Sequence, residues 1–300
     1  MDGHVGATAP QLSTWPQMKI ARAIQHLAEL RTRINLWAAS APYTVKPHIS
    51  DDRTTVSFRV KVVVPPSTDE WSLYLGDALH ALRSALDACV WELAHLSGDE
   101  PPKPRRVGFP DCRSEADWDR VRRDKLQTVP DMYAERIKQV QPFSTHAQRP
   151  ETSALAVLSY LDNQDKHRAS IGLNLDGNQI QQNFWVEMLE GEAAEPPLEV
   201  VGHFVPVEDG AVLLKVRYPG RIASVSGSCG FGCQVTFGTE VGREAIESVD
   251  GMIMEVRRIL AFILSVQPAV ESEPEEEGEW HEMTFIPTQD GKSARYAPES

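Results

Sequence analysis

Residues 67–98 have the sequence STDEWSLYLGDALHALRSALDACVWELAHLSG, and this stretch decides the fold. Apolar side chains recur in it at three- and four-residue spacing for about six turns, which predicts one long amphipathic helix. Alanines fill the adjoining flank, so the helix is apolar on two flanks and is expected to be buried. The main stripe consists of Leu75, Leu79, Leu82, Leu86, Cys89, Leu93 and Leu96.

The segments on either side of this helix define the fold class. A helix and a hairpin with a turn at Ser50–Asp52 precede it, and three helical segments, several strands and a last helix follow it. Because helices and strands segregate along the chain, the predicted class is α+β. The prediction is an antiparallel helical core of about five main helices, with an N-terminal β-hairpin and an inserted antiparallel sheet. The predicted ranges are helices at about 16–39, 114–125, 130–139, 151–168 and 243–267, with strands between 171 and 239.

Composition excludes several classes of protein. Four cysteines in 300 residues do not make a disulfide-rich scaffold. A hydrophobic content of 41% is too high for a wholly disordered chain. No stretch approaches the ~18 apolar residues of a membrane helix. A net charge of −13 argues against nucleic-acid binding by bulk charge.

The charge distribution predicts the domain organisation. Residues 271–300 hold nine acidic and two basic side chains, which predicts an acidic, largely disordered tail. An alternative is a tail that competes with nucleic acid or an effector for a basic surface. Residues 1–11 are predicted to be disordered, and 12–270 to form a single α+β domain with its sheet at about 171–240. The N-terminus lacks a secretory signal, so a soluble, cytoplasmic protein is expected.

A polar stripe on the central helix is the strongest candidate for a functional site. His80, Arg83 and Asp87 lie at i, i+3 and i+7, so they share one face. In the segment LDNQDKHR, Asp162 and Asp165 continue the apolar face of a later helix. Acids on a core-facing stripe need partners, because an unpaired buried carboxylate is costly. We therefore expect the two helices to pack, with Arg83 as the natural partner of these acids.

This constellation has two interpretations. In an enzyme, the catalytic residues would be His80, Arg83, Asp87 and His167, because metal-free ribonuclease chemistry needs a base and a cation at the phosphate. In a ligand site or a structural network that fixes helix register, the further members are Asp162, Asp165, Lys166 and Arg168.

Two motifs carry a resemblance to known families. LGDALHALRSALD together with LDNQDKHR resembles a bacterial family of hypothetical proteins that pairs an LHxLRSALD helix with a later NxDKHR segment, over residues 70–170. Arg83-Ser84 is also similar to the start of the motif of HEPN domains, many of which are metal-independent ribonucleases of defence systems. That motif ends in a histidine four to six residues later. The corresponding positions of this chain, 88–90, contain no histidine. His80 or His167 would then supply the base.

A locally basic segment, residues 103–125, is the second candidate surface. Trp118 lies within it and could stack on a base. The alternative is a solvated helix face with internal ion pairs. The predicted nucleic-acid contacts are Arg105, Arg106, Arg120, Arg122 and Arg123. The expected partner is RNA or a small anionic ligand, and no membrane binding is expected. The sequence leaves open whether the protein forms a homodimer.

Neither a cofactor nor a metal is predicted. Asp162, Asp165, His167 and His80 could offer a carboxylate–imidazole site, but they lack the spacing of a Glu-x-x-His or His-Glu-x-x-His motif. Cys229 and Cys233 form half a zinc site at most, and we expect a hairpin tip with two inward thiols there. The predicted function is a binding or regulatory role centred on the polar stripe. The alternative is a HEPN-like ribonuclease, in phage defence.

Overall fold

The computed structural model describes residues 13–168, 171–192, 195–203, 207–238 and 244–265, and for 166–168 and 178 the backbone only. The predicted disordered segments, 1–11 and 271–300, lie outside these residues. Within them, helices and strands occupy separate blocks of the chain, and the α+β class is confirmed. The helices are α1 Trp15–Ala39, α2 Thr68–Ala94, α3 Glu115–Lys125, α4 Asp131–Gln139, α5 Pro142–Thr145, α6 Ala154–Arg168 and α7 Ala245–Leu264. The strands are β1 Tyr43–Ile49, β2 Thr55–Val62, β3 Leu173–Met188, β4 Glu199–Gly202, β5 Val212–Arg217 and β6 Ile222–Phe237.

Helix α2 is the centre of the main core. Its leucine stripe is fully buried from Leu75 to Leu93. Helices α1, α6 and α7 pack around it. Each buried leucine stabilises the fold by about 1.5–3 kcal/mol relative to an exposed one. The apolar stripe of α1 that contacts this core includes Ile20, Ala23, Leu27 and Leu30, and that of α7 includes Val249, Ile253, Val256 and Leu260.

The strands form two antiparallel sheets. The predicted hairpin β1–β2 is present, with Tyr43 opposite Val62, and it continues into a four-stranded sheet of order β1-β2-β5-β4. Strands β3 and β6 form a separate two-stranded ribbon. A second apolar cluster joins the sheet to the ribbon, where the rings of Phe58 and Phe184 lie 4.4 Å apart. The inserted strands are thus shared between two sheets.

The prediction of a hairpin tip at Cys229 and Cys233 was wrong, because both residues lie in the middle of strand β6. Cys229 and Cys233 belong to one continuous strand and lie opposite Gln182 and Gly177, so they do not form a hairpin tip. One glycine near these cysteines, Gly227, is needed for the pairing of β6 with β3. Gly227 has a φ of +100°, and a Cβ there would lie 2.7 Å from the Cα of Phe184. Glycine therefore allows the two strands of the ribbon to approach closely.

Candidate functional site

Helices α2 and α6 pack against each other, and the polar stripe of α2 lies along their contact. His80 Nδ1 is 3.1 Å from Asp162 Oδ1. Asp162 is buried, whereas 55% of the His80 side chain is exposed. The imidazole therefore covers a carboxylate of α6 and still reaches solvent, with its Nε2 3.5 Å from the hydroxyl of Ser84.

Arg83 has partners other than those expected from the sequence. Its buried guanidinium donates hydrogen bonds to Ser159 Oγ at 3.1 Å, to Asp87 Oδ1 at 3.3 Å and to the carbonyl of Phe109. The prediction that it pairs with Asp162 was wrong, because His80 takes that carboxylate. One turn further along α2, Asp87 and the Phe109 peptide are within reach of the guanidinium.

Asp87 completes the attachment of the segment after α2. Its Oδ1 also accepts a hydrogen bond of 2.8 Å from the amide N–H of Phe109. Side chains of α2 therefore bind both the amide N–H and the carbonyl of Phe109. The ring of Phe109 is fully buried. A Cβ on the neighbouring Gly108 would lie 3.2 Å from Asp87 Oδ1, so the close approach favours glycine there.

The remaining acid of the predicted network lies against a glycine. A Cβ on Gly76 would be 2.6–2.8 Å from the carboxylate atoms of Asp165, so the absence of a side chain leaves room for Asp165 beside α2. Lys166, His167 and Arg168 belong to α6, but their side chains lie outside the described part of the structure. Any role for His167 or the two cations thus stays a prediction.

A cavity of about 570 Å³ opens beside this network. It brings together the two regions that the sequence separated, the α2 stripe and the basic segment. Four basic and four acidic side chains line it, with a few small or apolar ones. The lining residues are Arg83, Arg105, Arg106, Lys125, Asp87, Asp111, Asp124, Asp162, Val107, Gly108, Val121, Ser159 and Asn163.

The charges in the cavity are unevenly paired. Arg106 pairs with Asp124 at 2.7 Å, and Arg83 with Asp87. Among the described residues, neither Arg105 nor Lys125 has an ion-pair partner. Two cations are therefore available to an incoming anion.

The pKa values of two titratable groups in the cavity are shifted in opposite directions. Burial raises the pKa of Asp111, although the nearby Arg113 and Arg83 oppose the rise. Its Oδ1 is buried and has no hydrogen-bond partner within the described chain. Burial lowers the pKa of Lys125, and the positive charge of Arg83 adds to the effect. Opposite shifts of an acid and a base in one cavity are typical of functional sites.

Sequence reasoning missed the special position of Asp111 and Lys125. A signal for Lys125 was present, because Trp118, Val121 and Lys125 lie at i, i+3 and i+7 and so share the inner face of α3. Nothing comparable marked Asp111, which lies in an irregular segment. The expectation that Trp118 stacks on a base was wrong, because this side chain is 2% exposed and packs in the main core.

The five predicted nucleic-acid contacts divide into two groups. Arg105 and Arg106 line the cavity. The other three belong to α3 and have partners close by in sequence: Arg120 with Asp117 at 3.0 Å, Arg122 with Asp131 at 2.6 Å, and Arg123 with the carbonyl of Asp119 at 3.1 Å.

The described residues give no support for a metal site or a membrane-spanning helix. Among its residues, no group of three or more His, Cys, Asp or Glu side chains is placed to hold a metal ion. Burial raises the pKa of both Cys229 and Cys233, which favours the thiol over the metal-binding thiolate. No helix in the described ranges is both long and apolar enough for a membrane span.

Comparison of the chain with protein-family models, curated proteins and solved structures finds no match. The geometry of the cavity is therefore the basis for a functional conclusion.

Proposed function

We propose that the cavity between α2, α6 and residues 105–125 binds a small anionic ligand that carries a phosphate group, in a binding or regulatory role. One observation carries the proposal: Arg105 and Lys125 face one cavity and have no ion-pair partner among the described residues. Lys125 is half-buried, and an unpaired cation in a partly desolvated position gains most from a multiply charged oxyanion.

The acids of the cavity are compatible with this ligand. Asp124 is neutralised by Arg106, Asp87 by Arg83, and Asp162 contacts His80. Asp111 is the remaining acid, and its raised pKa favours the neutral carboxyl, which can donate a hydrogen bond to an anion. The ion pairs of the cavity leave Arg105 and Lys125 as its two cations without an acidic partner among the described residues.

Calorimetric titration of the full chain with inorganic pyrophosphate, in EDTA and at low salt, tests the proposal. We expect saturable binding, and a loss of affinity of at least tenfold in Lys125→Met and in Arg105→Ala. Arg120→Ala is the matched control, because this exposed arginine lies on α3 outside the cavity, and it should bind like the wild type. Equal affinity in all four proteins, or no binding to any of them, would contradict the proposal.

A metal-independent, HEPN-like ribonuclease is the second candidate, and the His80–Asp162 pair favours it. The carboxylate orients the imidazole through Nδ1, and the exposed ring could act as a base. His80 does not line the cavity, however, and the described residues that do include no histidine. Labelled RNA incubated in EDTA separates the two functions: cleavage that disappears in His80→Ala supports the nuclease, and intact RNA supports the binding role.

A further inference from the structure

A second cleft, of about 300 Å³, adjoins the cavity on the side of α1. Trp15 and Trp91 line it, and their side chains are 50% and 44% exposed. Ser13 fixes the start of α1 to α2, because its amide N–H lies 2.7 Å from Glu92 Oε2. Both indoles therefore line one solvent-open space, which we call the tryptophan cleft.

The tryptophan cleft is adjacent to the cavity that holds Arg105 and Lys125. Asp87 and Val107 line both of them. Asp87 uses Oδ1 for Arg83 and for the amide of Phe109, and its Oδ2 has no hydrogen bond to any described residue. Since 43% of this side chain is exposed, a carboxylate oxygen stays open at the boundary between the two spaces.

We infer that the two spaces form one site for a mononucleotide, with the base in the tryptophan cleft, the ribose hydroxyls at Asp87 and the phosphate at Arg105 and Lys125. The inference rests on the proposed anion site and names its ligand class. Each part of the ligand meets suitable chemistry. Indole rings stack on nucleobases. A carboxylate accepts hydrogen bonds from ribose hydroxyls, as in dinucleotide-binding proteins. Cations bind the phosphate.

Size and charge favour a single nucleotide over a polynucleotide. The cavity and the cleft each have the dimensions of a small-molecule site, for which about 300–1,000 Å³ is typical. A strand of RNA needs a basic track for successive phosphates. Here Asp87, Asp111 and Asp124 interrupt the cations, so the charge pattern suits one phosphate group or a diphosphate.

Titrations with three probes test the inference: adenosine 5′-monophosphate, ribose 5-phosphate, which lacks the base, and a short RNA. We expect the mononucleotide to bind about tenfold more tightly than ribose 5-phosphate and to quench tryptophan fluorescence. In Trp91→Ala this tenfold difference should disappear while the affinity for ribose 5-phosphate is unchanged. Trp185→Ala is the matched control, because Trp185 is an exposed tryptophan of β3 outside both spaces, and its removal should not alter either affinity.

The possible failures are distinguishable. Equal binding of the mononucleotide and ribose 5-phosphate, with no effect of Trp91→Ala, overturns the nucleotide inference and leaves the anion site in place. Binding of the RNA without binding of the mononucleotide overturns it in favour of a polynucleotide. Binding of none of the three probes overturns the inference, and the proposed function is overturned with it only if pyrophosphate also fails to bind.

Discussion

The amide N–H of Phe109 lies 2.8 Å from Asp87 Oδ1, and this contact fixes the wall of the cavity to the central helix. The carbonyl of the same residue accepts a hydrogen bond from Arg83. Two side chains one turn apart on α2 thus satisfy both backbone polar groups of Phe109, which lies in the irregular segment between α2 and α3. The segment carries Arg105, Arg106 and Asp111, so the position of these groups depends on the α2 stripe.

Arg83→Ala should lower the free energy of unfolding by about 3 kcal/mol, because it leaves a buried carbonyl and the Ser159 hydroxyl without their donor. Urea denaturation measures the change. Arg120→Ala, which removes an exposed pair, should change stability by less than about 0.5 kcal/mol. Equal denaturation midpoints for Arg83→Ala and the wild type would show that the Phe109 segment is held by other contacts.

Asp111→Asn should stabilise the protein at neutral pH. Because burial raises the pKa of Asp111, the folded state holds the proton more tightly than the unfolded state. The wild type therefore loses stability as pH rises from the ordinary carboxyl range through the raised pKa. The isosteric amide avoids this loss, and we expect a gain of about 1 kcal/mol near pH 7 that vanishes near pH 4.

Thermal melts across this pH range give the difference between Asp111→Asn and the wild type. The matched control is Asp119→Asn, which removes an exposed acid of α3 and should give no comparable gain. A destabilised Asp111→Asn at neutral pH would mean that the carboxylate is stabilised where it lies.

Anion affinity should fall as pH rises. At acid pH, Asp111 is neutral and Lys125 is charged, which favours the anion; deprotonation of either group weakens binding. Because the pKa of Lys125 is lowered by burial, its loss of charge begins below the ordinary lysine range. Sulfate is a suitable probe, since its own charge is constant between about pH 5 and pH 10.

We expect the affinity to fall in two pH ranges, one for each group, and two variants show which group is responsible for which fall. Calorimetry measures the affinity of each variant across the pH range. Asp111→Asn should remove the fall at lower pH and keep the alkaline one. Lys125→Met should bind more weakly throughout and lose the alkaline fall. A wild-type affinity that is constant over the whole range would show that neither group faces the bound anion.

The sequence was sufficient for the parts of the structure that follow a period. The leucine stripe of α2 predicted the buried helix, and the spacing of His80, Arg83 and Asp87 placed them on one face. The pairing on that face depends on which groups α6 and the Phe109 segment present, and spacing along one helix carries no information about them. The cavity was missed for the same reason, since its wall has no periodic pattern and is positioned by tertiary hydrogen bonds.

Glycine at position 227 shows a different limit of sequence reasoning. A glycine between two strand-like segments predicts a turn, yet the residue belongs to a 16-residue strand. Both a turn and a close approach of strands require the freedom that only glycine has. Which of them forms is decided by the availability of a partner strand, here β3, along the whole length of β6.

Gly227→Ala should destabilise the ribbon strongly. Its φ of +100° is unfavourable for alanine, and the added Cβ would collide with the backbone of Asn183 and Phe184, which cannot move without breaking the ladder. We expect a loss of more than about 2 kcal/mol in the free energy of unfolding.

Gly210→Ala is the matched control, because Gly210 has a φ of +86° but nothing within 4 Å of its Cβ position. It bears the backbone strain alone, at about 1–2 kcal/mol. Chemical denaturation of both variants separates the two costs, and equal losses would show that the close approach of β3 and β6 contributes nothing.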